Sequence, residues 1–527
     1  MKKNLLALCL LFTLFACRKN DIGKIESTVK NDEVIVLDTS YTSDYKYNLN
    51  VVYFIPKDNP AIPDYKRRLS EILLWGQKFY GDQMTHAGYT GKTFGLLKDD
   101  TKKIVKIITI YGKLTKDNYT SSGVSNIQNE VRDYFTAHPT EKTSDHILYI
   151  APDNGIDNPF FGLGKDCFAK DYSGFDIKYI GTDTYSFTKY FGGLIHELGH
   201  GLNLPHNCGK KSDDAILGMS LMYAGNGTLG KSPTFLTEAD CAILNTNQIF
   251  QKQPNITYYG TSTAAITRMY AYYSATKQAI VASGKFVSSV PVTNVTYYLD
   301  PNVTKSDGTL EGTGVNRDYN AMTWRSNVIG TDSFYVEIPI NELKYTGSTP
   351  YELKVKLIQE NGNIKETIYP FTFENSLPII NIKPDFDKSN WTIAGLSSQE
   401  TTVSNNPASF MIDNNLNTYW YSKYNSTEAV LPHFVTVDMG SVKTADGFTI
   451  NQRQDVYRMV KDVEVMISSD NINWASTGNY VINSIAAQQR ISFGAAKTFR
   501  YFKVVVKSNY DNSTNRSCIA EIGIYKN

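Results

Sequence analysis

Apolar residues recur along this chain with two different periods, and the change from one to the other divides it. Val51, Val52, Tyr53, Phe54 and Ile55 follow one another without a polar residue, which predicts a strand buried on both faces. Between residues 65 and 84, Leu69, Ile72, Leu73, Gln77 and Phe79 fall near a helical repeat. The same reading predicts a strand over 104–111, a helix over 125–137 and a strand over 146–151. A glycine-rich loop through Phe160, Phe161, Gly162, Leu163 and Gly164 follows, and then a helix from near Tyr185. Strands and helices in alternation predict an α/β layered domain over 48–254. Past Pro254 the helical spacing stops. Runs such as 295–299, 334–338 and 353–357 alternate between turn clusters, which predicts an immunoglobulin-like β-sandwich over 255–380. Pro378 and Pro384 mark the next boundary, and 381–527 is again rich in strand signals.

Size agrees with this division, because 527 residues at roughly 150 per domain ask for three or four domains. With 53 basic and 52 acidic residues the net charge is +1, so no electrostatic footprint points to a nucleic acid or an anionic membrane. A 41% hydrophobic and 13% aromatic composition excludes disorder. Six cysteines are too few for a disulfide scaffold, and the pairing of Cys167, Cys208 and Cys241 stays open.

Residues 1–17 read as a secretory signal: Lys2 and Lys3 precede an apolar stretch too short to span a bilayer. The stretch ends in Leu14-Phe15-Ala16-Cys17, which resembles a bacterial lipobox, with the alternative that Cys17 is incidental to an ordinary cleaved signal. The resemblance implies an exported lipoprotein of the cell envelope, held to the membrane by a lipid on Cys17. The polar residues 18–47 then read as a tether.

Three of the seven histidines fall within His196-Glu197-Leu198-Gly199-His200-Gly201-Leu202-Asn203-Leu204-Pro205-His206. On a helix, His196 and His200 lie one turn apart and offer two adjacent corners of a tetrahedral zinc site. Glu197 is rotated about 100° from His196 and can reach a metal-bound water as a general base. For His206 to complete the site the chain must turn back after Gly201. Pro205 forbids helical continuation, and Asn203 tolerates the left-handed conformation such a turn needs. Three histidines leave a fourth position open for catalysis.

This segment resembles the metzincin zinc endopeptidases, whose pattern is HExxHxxGxxH; it departs from it by Asn203 at the glycine position. The resemblance implies an α/β (α+β) metzincin-like catalytic domain, followed here by two all-β sandwich domains. It implies a methionine turn under the metal, matched by Ser220-Leu221-Met222-Tyr223, with Tyr223 beside the substrate. It also implies a substrate extended along an edge strand. Gly162, Leu163 and Gly164 are the candidates, with a plain connecting loop as the alternative. A closing helix is predicted from the capping signal Thr237-Glu238-Ala239-Asp240, and Glu238 leaves open the gluzincin arrangement with a glutamate as third ligand. His86, His138 and His146 have no role in this reading.

In 385–527, phrases such as 411–420 (MIDNNLNTYW), 468–474 (SSDNINW) and 520–522 (AEI) arrive in an order that resembles the discoidin, or factor five/eight type C, domain, related to family 32 carbohydrate-binding modules. That resemblance implies a structural Ca²⁺ at Asp413, Thr418 and Glu521 and glycan contacts from His433, Arg453 and Tyr457. It implies core positions for Trp420 and Trp474 more than sugar platforms. Together these readings predict a zinc endopeptidase acting on extracellular proteins or glycoproteins and directed by a glycan- or surface-binding module. The alternative is a non-catalytic surface adhesin with a protease-like domain.

Overall fold

A computed structural model describes residues 41–527 except 154, 156–159, 185–186, 304–317, 383–385 and 527. The signal, Cys17 and residues 18–40 of the expected tether lie outside the described residues. Five strands form the first sheet, in the order Ile107–Tyr111, Asn50–Ile55, Ile147–Pro152, Asp166–Asp171 and Phe160–Leu163. The first four run parallel, and Phe160–Leu163 closes the edge antiparallel to Asp166–Asp171. The strand Asn50–Ile55 is buried along its whole length because both faces are covered. Val51, Tyr53 and Ile55 pack toward the helices Tyr65–His86 and Phe187–Gly201. Val52 and Phe54 pack toward Val124–Ala137 on the other face.

Three strands depart from what the sequence predicts. Residues 160–163 are the sheet's edge and not a loop. Asp166–Asp171 carries only Cys167, Phe168 and Ala169 between charged residues, so its pattern alone does not mark it as a strand. Its burial comes from partners distant in sequence. Asp171 receives both the Arg68 guanidinium, at 2.7 and 3.0 Å, and the Tyr53 hydroxyl at 2.9 Å. The expected strand over 104–111 divides at Lys106, and only Ile107–Tyr111 joins the sheet. Residues 41–47 are not tether: Thr42 pairs with Lys98 and the Lys46 N–H donates to the Lys252 carbonyl at 2.9 Å.

The second domain packs a four-stranded sheet (Ser333–Pro339, Ala279–Ser288, Ala264–Ser274, Asn381–Ile382) on a five-stranded one centred on Val292–Pro301 and Tyr351–Gln359. Its last strand, Asn381–Ile382, lies just past residue 380. This sandwich is joined to the first domain by more than a linker. Ile358 enters the first domain's core, Ala239 packs with Tyr298 and Ala321, and Cys208 forms a bridge with Met322. In the third domain, the long strands His433–Asn451 and Gln489–Val506 form the middle of a six-stranded sheet.

Candidate metal centre

The helix Phe187–Gly201 is apolar nearly all round, and it is buried between the sheet edge and the residues that follow it. Its C-terminus is shaped as the turn requires. Asn203 has φ 71°, and the Leu204 N–H returns to the Gly199 carbonyl at 3.0 Å. That reversal brings His206 back over the helix. The ligand nitrogens of His196, His200 and His206 lie within 4.8 Å of one another. Among the described residues no other group of three His, Cys, Asp or Glu side chains is so gathered.

Two of the rings are oriented by carbonyls. His196 Nδ1 is 2.6 Å from the Leu221 oxygen and His200 Nδ1 is 2.8 Å from that of Leu204. A carbonyl only accepts, so each Nδ1 carries the proton and each Nε2 keeps a lone pair for a cation. His200 Nε2 faces His206 Nε2 at 3.0 Å. Burial pushes the His196 pKa down to about 4, with help from neighbouring His200, and lowers that of His200 as well. The rings are therefore neutral, as metal ligands must be. Three imidazoles gathered within 4.8 Å of one another fit Zn²⁺. Beneath them Met222 is fully buried, with its sulfur against Gly199 in the turn between His196 and His200. Glu238 does not join the site: it stands at the start of the helix Glu238–Asn245, facing Lys210 and Arg325. The capping box between Thr237 and Asp240 is formed, and Asp240 accepts from Asn207 at 2.6 Å, which fixes the residue after His206.

Burial raises the Glu197 pKa to about 7, against the backbone N–H of Gly162, which donates to its carboxylate. A carboxyl at that value can take and return a proton near neutral pH. Gly162 is thus more than a small residue in an edge strand. A Cβ there would lie 2.3 Å from the Glu197 carbonyl oxygen and 2.7 Å from His200 Cβ. Gly162→Ala is expected to cost ~1–3 kcal/mol of stability by overpacking. It would also lift the strand off the helix and withdraw the N–H from Glu197. Turnover should fall by more than the loss of folded protein, as rates normalised to folded fraction will show; an unchanged rate would mean that the strand does not seat the base. Leu163 is 66% exposed at the sheet edge and Gly164 takes φ 63°. Tyr223 is half-buried against the core of the second domain.

One contributor was invisible in the sequence reading. His146 is fully buried, with Nδ1 2.8 Å from the Gly201 carbonyl at the end of the histidine helix and Nε2 2.7 Å from the Tyr259 hydroxyl. It ties that helix end to the segment that leads into the second domain. Nothing in local spacing signals this, because its partners lie 55 and 113 residues away. Cys167, Cys208, Cys241 and Cys518 are buried free thiols, so none of the three cysteines of the first domain pairs with another.

The third domain alters several expectations. His433 is fully buried, and its Nε2 donates to the Asn515 carbonyl at 2.6 Å, so it supports the loops instead of contacting a ligand. Arg453 and Tyr457 do meet at the surface, with the guanidinium over the Tyr419 and Tyr457 rings at 4.1 and 5.3 Å. Trp420 is core, but Trp474 is half-buried under Lys503. Asp413, Thr418 and Glu521 converge: Asn415 N–H donates to both carboxylates, and Thr418 Oγ1 donates to Asp413 at 2.8 Å. However, the buried Lys388 ammonium is bonded to Glu521. The chain thus supplies one cation of its own beside the two carboxylates; burial, opposed by Lys388 and helped by the nearby Asp413 carboxylate, raises the Glu521 pKa to about 8.

Residues 395–522 match the F5/8 type C domain family. Wild-type OgpA from Akkermansia muciniphila has a similar structure, with TM-score 0.58 and 34% identity over 62% of this chain and 94% of that one. Catalytically inactive OgpA in complex with an O-glycopeptide (glycodrosocin) substrate matches with TM-score 0.57 and 33% identity over 62% and 93%. A sialidase from Micromonospora viridifaciens is 28% identical over 169 residues, which are 31% of this chain and 24% of that protein. A galactose oxidase from Gibberella zeae is 26% identical over 165 residues, 29% of this chain and 23% of that one. The chain therefore spans about a quarter of the length of these two curated relatives. Identity of 34% sustained over 94% of the solved protein's length places this chain in the family of OgpA, with an F5/8 type C domain as its C-terminal part.

Proposed function

We propose that this chain is a zinc-dependent endopeptidase with a metzincin-like catalytic domain that cuts O-glycosylated extracellular proteins. The reading is carried by the three imidazoles that converge beside a carboxyl group with a pKa of about 7. When bound, zinc acidifies a water molecule and polarises the scissile carbonyl. His196, His200 and His206 would hold that ion, and Glu197 would take a proton from the attacking water and return it to the leaving amine. Gly162 N–H holds the carboxylate in place, and the strand Phe160–Leu163, last in the sheet, offers its outer edge to an extended peptide. The substrate class is supported by the complex of OgpA with an O-glycopeptide. The F5/8 type C domain would bring the enzyme to glycan-bearing surfaces, and lipidation of Cys17 would hold it at the cell envelope. An adhesin has no need of a buried general base, so Glu197 favours the enzyme.

The test is to incubate the protein with an O-glycoprotein and with the same protein stripped of its O-glycans, and then to map new N-termini. Cleavage confined to the glycosylated form, beside modified serine or threonine, is the expected result. Equal cleavage of both forms would reduce the reading to a general endopeptidase, and no Glu197-dependent cleavage of either would return it to the adhesin.

A further inference from the structure

The third zinc-ligand candidate is not positioned by the first domain alone. His196 and His200 are each oriented by a carbonyl of their own domain. Over His206, by contrast, lies the ring of Tyr319, stacked at 3.6 Å between centroids and 21° between planes. Tyr319 belongs to the second domain. It sits in the single helical turn Asp318–Asn320, just before the strand Met322–Asn327.

That turn is firmly held. Asp318 is 5% exposed and takes ion pairs from Lys354 and, at 3.5 Å, from Lys356; Lys354 also pairs with Asp300 at 2.8 Å. All four charged groups are buried in the sandwich. Buried charges of this kind stay paired, so the turn has a fixed place. Its other end is bonded to the ligand loop: the Cys208 N–H, two residues after His206, donates to the Ala321 carbonyl at 2.8 Å, and the Ala321 N–H donates to that of Asp318 at 2.9 Å. One short segment of the second domain therefore fastens both the ring of His206 and the backbone behind it.

We infer that Tyr319 is a positioning residue for His206, and that the metal centre is completed by the second domain. The inference rests on the proposed zinc site. The stacked face limits rotation of the imidazole about its Cβ–Cγ bond, so its Nε2 stays aimed at the point shared with His200. Loss of a group that orients a ligand typically weakens metal binding by about 10- to 100-fold.

Zinc affinity is to be measured by competition with a chelating indicator on the full chain, for wild type, Tyr319→Ala and Tyr319→Phe. The melting temperature of each metal-free protein is recorded alongside. Tyr319→Ala is expected to bind zinc at least roughly tenfold more weakly, Tyr319→Phe to bind as wild type because it keeps the ring, and all three to melt alike without metal. Wild-type affinity in Tyr319→Ala overturns the inference. So does a Tyr319→Phe defect as large as that of Tyr319→Ala, which would assign the effect to the hydroxyl. A fall in metal-free melting temperature that accounts for the lost affinity overturns it too, by making the role one of folding. A wild-type chain that takes up no zinc overturns the zinc reading beneath it, an outcome distinct from all of these.

Discussion

Glu197→Gln is expected to lose cleavage by about 10²- to 10⁴-fold while it keeps both its metal and its fold. The amide has the shape of the carboxylate, and its oxygen can still accept the Gly162 N–H that holds Glu197. What it cannot do is take a proton from water. The native carboxylate can, and burial, opposed by that N–H, raises its affinity for the proton. Turnover of an O-glycoprotein, metal content and melting temperature should be read on the same preparation. Cleavage within a few-fold of wild type would remove Glu197 from the chemistry, whereas loss of bound metal would show that it acts as a ligand.

The second large effect is expected from the metal. Chelation should abolish cleavage, and zinc should restore it. The metal-free protein should also melt lower, because a ligand that binds only the folded state stabilises it by ~4 kcal/mol at a thousandfold excess over its Kd. Calorimetry with increasing zinc measures this directly. The three imidazoles are buried, and packing holds their ligand nitrogens within 4.8 Å of one another. His206→Ala should abolish the zinc-dependent rise in melting temperature. Activity that survives exhaustive chelation would end the metallopeptidase reading.

Much of this centre was legible locally. His196 and His200 are one helical turn apart, Pro205 blocks continuation, and Asn203 adopts the positive φ that the reversal demands, at 71°. These are properties of short segments, decided by helix geometry and by which residues tolerate a left-handed backbone. The apolar run 51–55 and the capping box at Thr237 were legible for the same reason. Failures came where burial depends on distant residues. Asp166–Asp171 looks polar because its Asp171 is satisfied by Arg68, 103 residues earlier. His433 looked like a ligand contact by position in its family, yet Asn515, 82 residues on, holds it inside. Lys388 carried no signal at all until it met Glu521, 133 residues away.

The sequence by itself determined the chemistry: three imidazoles and a carboxyl group at helix and turn spacings that leave little freedom in how they meet, together with the division into one α/β and two all-β domains. Only the tertiary structure decided what orients that chemistry. Gly162 reaches Glu197 because the sheet edge lies on the histidine helix, His146 binds the end of that helix from just before the strand Ile147–Pro152, and Tyr319 covers His206 from another domain. Ligand spacing is a property of the local backbone, whereas orientation and pKa depend on packing, which joins residues that no local pattern relates.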